Sequence, residues 1–180
     1  MAHFAGVRRK AIRDYMIEQW GPLMKELSRR FDITFILLER VGNLLINIRR
    51  EQTEFSMFMQ KEGTLNDSPA EPWLLTLAAY EPAAAQDGSP SCRDEWPAIR
   101  RQGYYDEYGT VRPGIRRLAF PLTDRTGGDI IGILGMGGPV SQLTDTTVHV
   151  CIEAIQAPRS GSLSGSNGPD QKTFEKELTL

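Results

Sequence analysis

His3 and His149 are the only histidines in the chain, and neither has a second metal ligand at helical or hairpin spacing. Zinc sites draw on three or four such ligands, so no metal is expected. His3 reads as part of the terminus and His149 as a helix-surface residue. Cys92 and Cys151 are far apart and belong to no spaced motif. A reactive cysteine needs a depressed pKa and a basic neighbour. Arg93 beside Cys92 is the one local hint, and Cys151 reads as a buried helix residue. No Gly-x-Ser-x-Gly elbow occurs, so nucleophilic catalysis has no local signature. The carboxylate pair Asp106-Glu107 could supply a general acid or base. The expected setting is a solvated loop, because adjacent carboxylates in a strand point to opposite faces.

Two further runs invite a chemical reading. Gly132-Ile133-Leu134-Gly135-Met136-Gly137-Gly138 has the glycine density of a phosphate cradle. A P-loop would continue with Lys and Ser or Thr at a helix start, whereas Pro139-Val140-Ser141 follows here. The βαβ unit that frames a dinucleotide loop is missing as well. Glycine inside a strand is the better reading, with a ligand or another element of the fold approaching the backbone closely. Arg8-Arg9-Lys10 with Arg13 could touch phosphates, but Asp14 and Glu18 dilute the run, and the wet face of an amphipathic helix is expected.

The elements that must position these residues follow from periodicity. Ile12, Met16, Trp20, Leu23, Leu27 and Phe31 recur at three- and four-residue steps, which predicts N-terminal helices over residues 1–31. Gly21-Pro22 predicts a break, with Pro22 opening a second helix. Ile33 to Leu38 and Leu44 to Ile48 read as a hairpin around Val41-Gly42-Asn43. Phe55 to Met59 reads as a third strand and Gly63 to Pro72 as a polar loop. Trp73 to Ala79 and Asp94 to Gln102 read as helices, the second stopped by Gly103. Ile115 to Leu122 and Ile130 to Met136 read as strands flanking the turn Thr123 to Asp129. Thr144 to Ala157 closes the body as a helix capped by Thr144 or Asp145, with Val148, Cys151 or Ile152, and Ile155 inward. Hairpin-paired strands separated from helices mean an α+β fold with an antiparallel sheet.

The chain divides into a body over 1–157 and a tail over 158–180. The Ser- and Gly-rich run from Ser160 to Pro169 cannot bury enough apolar surface to order itself. With 40% hydrophobic and 24% charged residues, the whole chain reads as soluble and globular, and its length suits one domain plus a tail. The formal net charge of −2 gives no global pull toward nucleic acid or anionic membrane. No signal peptide and no membrane-spanning run is apparent, and the sparse cysteines fit a reducing cytoplasm.

The segment from Trp96 to Thr144 resembles the C-terminal block of the IclR family of transcription regulators. The residues carrying the resemblance are Ile99-Arg100-Arg101-Gln102-Gly103-Tyr104, the acidic Asp106-Glu107, Gly114 to Pro121, the turn Thr123-Asp124-Arg125, and Met136-Gly137-Gly138-Pro139 with Gln142-Leu143-Thr144. Pro22 to Leu27 and Ile33 to Ile48 resemble the helix and first hairpin that precede that block. Ser68 to Ala79 stands where the family has a Thr-Ala-x-Gly-Lys helix start, with Glu71-Pro72 in place of Gly-Lys. The similarity spans roughly residues 20–157.

The resemblance implies a curved antiparallel sheet flanked by helices, similar to GAF and PAS sensors, with a small effector, often a carboxylate, on the concave side. Carried over position by position, the family's pocket residues fall on Glu107, Arg117, Gly135 and Gly137. Arg117 stands for a small thiol and the two glycines for hydroxyls. A guanidinium facing bare glycine suits a pocket rebuilt for a larger anion. Alternatively, Arg117 pairs with Glu107 and fills the space itself. The implied function is a non-enzymatic sensor domain without a cofactor, assembling as a homodimer or homotetramer. It would meet DNA only through a winged helix absent from this chain. A stand-alone GAF-like binding module, or a small enzyme working through Cys92 or Cys151, is the alternative.

Overall fold

The computed structural model describes residues 2–56, 60–81, 95–124 and 129–157. The expected tail, Cys92 and the tip of the turn at 125–128 lie outside them. The elements run α1 (Ala2–Phe31), β1 (Thr34–Val41), β2 (Leu44–Glu51), β3 (Leu65–Asn66), α2 (Pro72–Tyr80), α3 (Trp96–Gln102), β4 (Tyr105–Tyr108), β5 (Ile115–Thr123), β6 (Ile130–Pro139) and α4 (Asp145–Gln156). The six strands form one sheet in the order β3-β2-β1-β6-β5-β4. Every pairing is antiparallel. The fold is α+β, as expected.

The alternation of side chains across each strand builds two cores. Phe35, Leu37, Leu118, Phe120, Leu134 and Met136 face α1 and α4, where Met16, Met24, Leu27, Val148, Cys151 and Ile155 cover them. Ile36, Leu38, Leu45, Ala119 and Ile133 face the other way, against Trp73 and Leu77 of α2. Helix α3 adds Trp96 and Ile99 beside Ala79.

Three expectations need correction. The first concerns Gly21-Pro22, which does not break the chain: α1 is one 30-residue helix with Pro22 inside it. Met16 before the break and Met24 and Leu27 after it bury in the same core, so packing outweighs the lost N–H. The second concerns the third strand, which is β3 at Leu65–Asn66, inside the expected polar loop. Of the segment 55–59, the described residues Phe55 and Ser56 form no strand. The third concerns Asp106-Glu107, which belongs to strand β4 and not to a solvated loop.

The local signals elsewhere read as they should. Gly42, at φ 62°, turns β1 into β2, and Gly103, at φ 82°, ends α3. Thr144 caps α4, its hydroxyl accepting from the Thr147 N–H. The basic run of α1 has an unexpected use. Arg9 Nε donates to Glu39 Oε1 at 2.7 Å and Arg13 Nη2 to Glu39 Oε2 at 2.5 Å. Glu39 lies on β1 with 1% exposure, so these two arginines neutralise a buried charge.

Candidate functional site

Strand β4 brings two carboxylates up to two arginines of β5, and alternation sends each pair to its own face. On the α4 side, Arg116 holds Asp106 through Nε at 3.0 Å and Nη2 at 2.6 Å, and reaches Asp145 at 2.7 Å. The hydrogen bonds to Asp106 come first among the causes that hold the Arg116 guanidinium above its ordinary pKa. On the α2 side, Arg117 Nε donates to Glu107 Oε2 at 2.9 Å. The Arg117–Glu107 pair is thus present, and a third member joins it. Arg117 Nη1 donates to Glu71 Oε2 at 2.5 Å, from the residue that opens α2.

Register places these groups in rows. Glu107, Arg117, Gly137 and Thr34 stand side by side across β4, β5, β6 and β1, and Tyr105, Ala119, Gly135 and Ile36 form the next row on the same face. Sheet geometry thus brings Glu107, Arg117, Gly135 and Gly137 together beneath α2. Arg117 is 3% exposed and Glu107 1%.

The space above Gly135 is filled from within. A Cβ added there would lie 2.6 Å from Trp73 Cζ3 and 2.8 Å from Ile36 Cγ1, so serine has no room in this arrangement. The element approaching the glycine strand on this face is therefore the indole of Trp73. On the opposite face a Cβ on Gly132 would meet the Leu38 carbonyl oxygen at 2.2 Å and Met16 Cε at 2.4 Å. The Arg117 guanidinium lies 5.8 Å from the Trp73 ring centroid.

Electrostatics divide the two carboxylates on Arg117. Burial by itself would raise the Glu107 pKa. The Val111 N–H at 2.8 Å, Arg117, and the Thr110 hydroxyl at 3.0 Å outweigh burial and hold the carboxyl below its ordinary value. Glu71 is less enclosed, and its remaining cationic neighbour is Arg112 at 3.5 Å. Two donors stay unmatched: Arg117 Nη2 and Trp73 Nε1 are buried without a hydrogen-bond acceptor.

The other chemical candidates separate from this place. Cys151 is buried against α1, and burial pushes its thiol up to about 12, the opposite of an activated nucleophile. His149 is exposed and pairs with Glu153 one turn on. Among the described residues no group of three or more His, Cys, Asp and Glu side chains could hold a metal ion, and no helix is long and apolar enough to cross a membrane. Glu71 and Trp73 are the functional candidates that the sequence did not single out. Glu71-Pro72 in place of Gly-Lys was the available signal, since it sets a carboxylate at a helix start.

The sequence matches no protein-family model and no characterised protein. Solved structures are more informative. The C-terminal domain of a protein from Vibrio cholerae described as a transcriptional regulator superposes with a TM-score of 0.64 at 16% identity, covering 76% of this chain and 91% of that one. The Thermotoga maritima IclR superposes at 0.64 and 16% identity, over 76% of this chain and 62% of its own. An IclR transcriptional regulator from Alicyclobacillus acidocaldarius gives 0.64 at 14% identity, over 77% and 63%. The chain has the fold of an IclR-type regulator's C-terminal domain. It spans about three fifths of the length of the latter two regulators. At these identities the likeness is one of fold.

Proposed function

We propose that this chain is the effector-sensing domain of an IclR-type transcription regulator, and that Glu107, Arg117, Gly135 and Gly137 mark its ligand site. The observation that carries the reading is the gathering of these four positions in two adjacent rows under one helix, on a fold shared with proteins described as transcriptional regulators. Two buried donors without acceptors beside those rows support a ligand that brings hydrogen-bond acceptors. A small carboxylate is such a ligand, because guanidinium presents paired N–H groups in matching geometry. The domain acts without a cofactor and without catalysing a reaction. It works in the cytoplasm as a homodimer or homotetramer, and it meets DNA through a separate winged-helix module. Effector binding shifts the population of assembly geometries and so changes DNA affinity.

A thermal-shift screen of small carboxylates tests this. A ligand that binds only the folded state raises the melting temperature by mass action. The expected result is a shift in the wild type that Arg117→Ala abolishes. A carboxylate shift that survives Arg117→Ala would remove the site assignment, and a wild type indifferent to every carboxylate would remove the effector class.

A further inference from the structure

We infer that Glu71 is a built-in occupant of the carboxylate position on Arg117, and that an incoming small carboxylate displaces it and releases the start of α2. The inference rests on the effector site proposed above and adds to it what fills the site in the absence of ligand. Glu107 is the permanent partner of the arginine. It is buried, and the Val111 N–H and the Thr110 hydroxyl hold it independently of Arg117. Glu71 is the exchangeable one. Its carboxylate is 16% exposed, and its other cationic partner, Arg112, is 62% exposed at 3.5 Å. Glu71 also occupies the N-cap position of α2 without using its side chain as a cap; the carboxylate is committed to Arg117 instead.

Displacement has a physical driving force. Glu71 takes Nη1 of Arg117 and leaves the neighbouring Nη2 buried with no acceptor. A free carboxylate is not tethered to a helix start, and it can take Nη1 and Nη2 together as a bidentate partner. It thereby satisfies a donor that the internal carboxylate leaves unpaired. The charge balance is unchanged, because one carboxylate replaces another and the displaced Glu71 enters solvent beside Arg112. The consequence passes to Trp73, two residues along, whose indole sits on Gly135 and against the guanidinium. When Glu71 leaves, the tie that holds this turn of α2 on the sheet is lost, and the indole can vacate the floor that Gly135 provides. Glycine at 135 then has a reason: it accommodates the indole in the closed form and the ligand in the open one.

The test uses the full chain with acetate and benzoate as probes, titrated calorimetrically, and amide hydrogen exchange over residues 72–80. Glu71→Gln removes the competing charge and should tighten benzoate or acetate about tenfold, with Arg117→Lys abolishing binding in both backgrounds. Without ligand, Glu71→Gln should exchange faster over α2, and saturating benzoate should produce the same acceleration in the wild type. Glu71→Ala provides a second variant should the glutamine side chain keep a hydrogen bond to Arg117. Arg117-dependent binding of equal strength in wild type and both Glu71 variants would overturn the displacement and leave the effector site standing. No binding in any variant would overturn both. Tightening without any change in α2 exchange, in the variants or with probe, would overturn the release of the helix.

Discussion

Arg117 carries the α2 face of this domain at the scale of single residues. Its guanidinium lies between two carboxylates with almost no contact with solvent. Removing it strands Glu107 in the interior, so Arg117→Ala should cost about 3–5 kcal/mol in urea unfolding at neutral pH. A loss under about 1 kcal/mol would mean that solvent reaches the cluster far more freely than its burial implies. Glu107 supplies a pH signature. Its carboxyl titrates below its ordinary value in the folded chain. The stability it contributes is therefore fully present above the ordinary glutamate pKa of about 4.3 and is lost as pH falls through the lower folded value. Glu107→Gln should flatten the acid limb of a stability–pH profile, and an unchanged limb would move the acid sensitivity to other carboxylates. Sequence alone made the glycine strand legible as a place of close approach, because few other causes put so many glycines in one strand. It did not reveal Glu71 as a partner of Arg117, because the two lie 46 residues apart and the departure Glu71-Pro72 sets a carboxylate at a helix start without showing what it meets.

At the scale of elements, helices and hairpins declared themselves through caps, turns and period. Thr144 illustrates this, since its side chain satisfies an N–H at the start of α4. Thr144→Ala should cost about 1 kcal/mol, read from the midpoint of chemical unfolding. Helix α1 shows where local signals fail. Gly21-Pro22 is a helix breaker by propensity, yet the residues on either side bury in one core and hold the helix through it. Pro22→Ala restores a backbone donor and removes the ring's clash with the preceding turn. It should raise stability, by up to about 3 kcal/mol. A destabilised variant would show that the proline is needed for the course of the helix. Strand β4 escaped sequence reading for a related reason. Four residues containing two carboxylates look like a loop until Arg116 and Arg117 are known to lie opposite.

At the scale of the whole molecule, the α+β class followed from alternation and turn chemistry. The strand order did not, because the central pairing of β1 with β6 joins segments about a hundred residues apart, which no hairpin signal can announce. The resemblance in the segment from Trp96 to Thr144 implied a curved antiparallel sheet with flanking helices, but no strand order. Regulators that read paired half-sites work as symmetric assemblies. Sedimentation at concentrations on the order of micromolar should therefore show dimers or tetramers, and a strict monomer would count against the regulator reading. Met24 of α1 is fully buried, so any contact surface between copies must be sought elsewhere.

The glycines of β6 have a mechanical consequence. Met16 rests on the strand's backbone at Gly132 from one side, and Trp73 rests on it at Gly135 from the other. At these two points the partition between the cores has no side chains to absorb a push. The two contacts fall three residues apart on the same strand, about 10 Å along it, with Ile133 and Leu134 between them. A shift of the indole should therefore be felt by the long helix across the sheet, although the two never touch. Trp73→Phe and Met16→Leu, measured singly and together, should depart from additivity by more than about 0.5 kcal/mol. Residues so placed on opposite faces of an ordinary strand, padded with leucine and valine, would be expected to act independently. Here the two glycines expose the backbone of one strand to both layers, so that strain in the layer of α2 reaches the layer that holds α1.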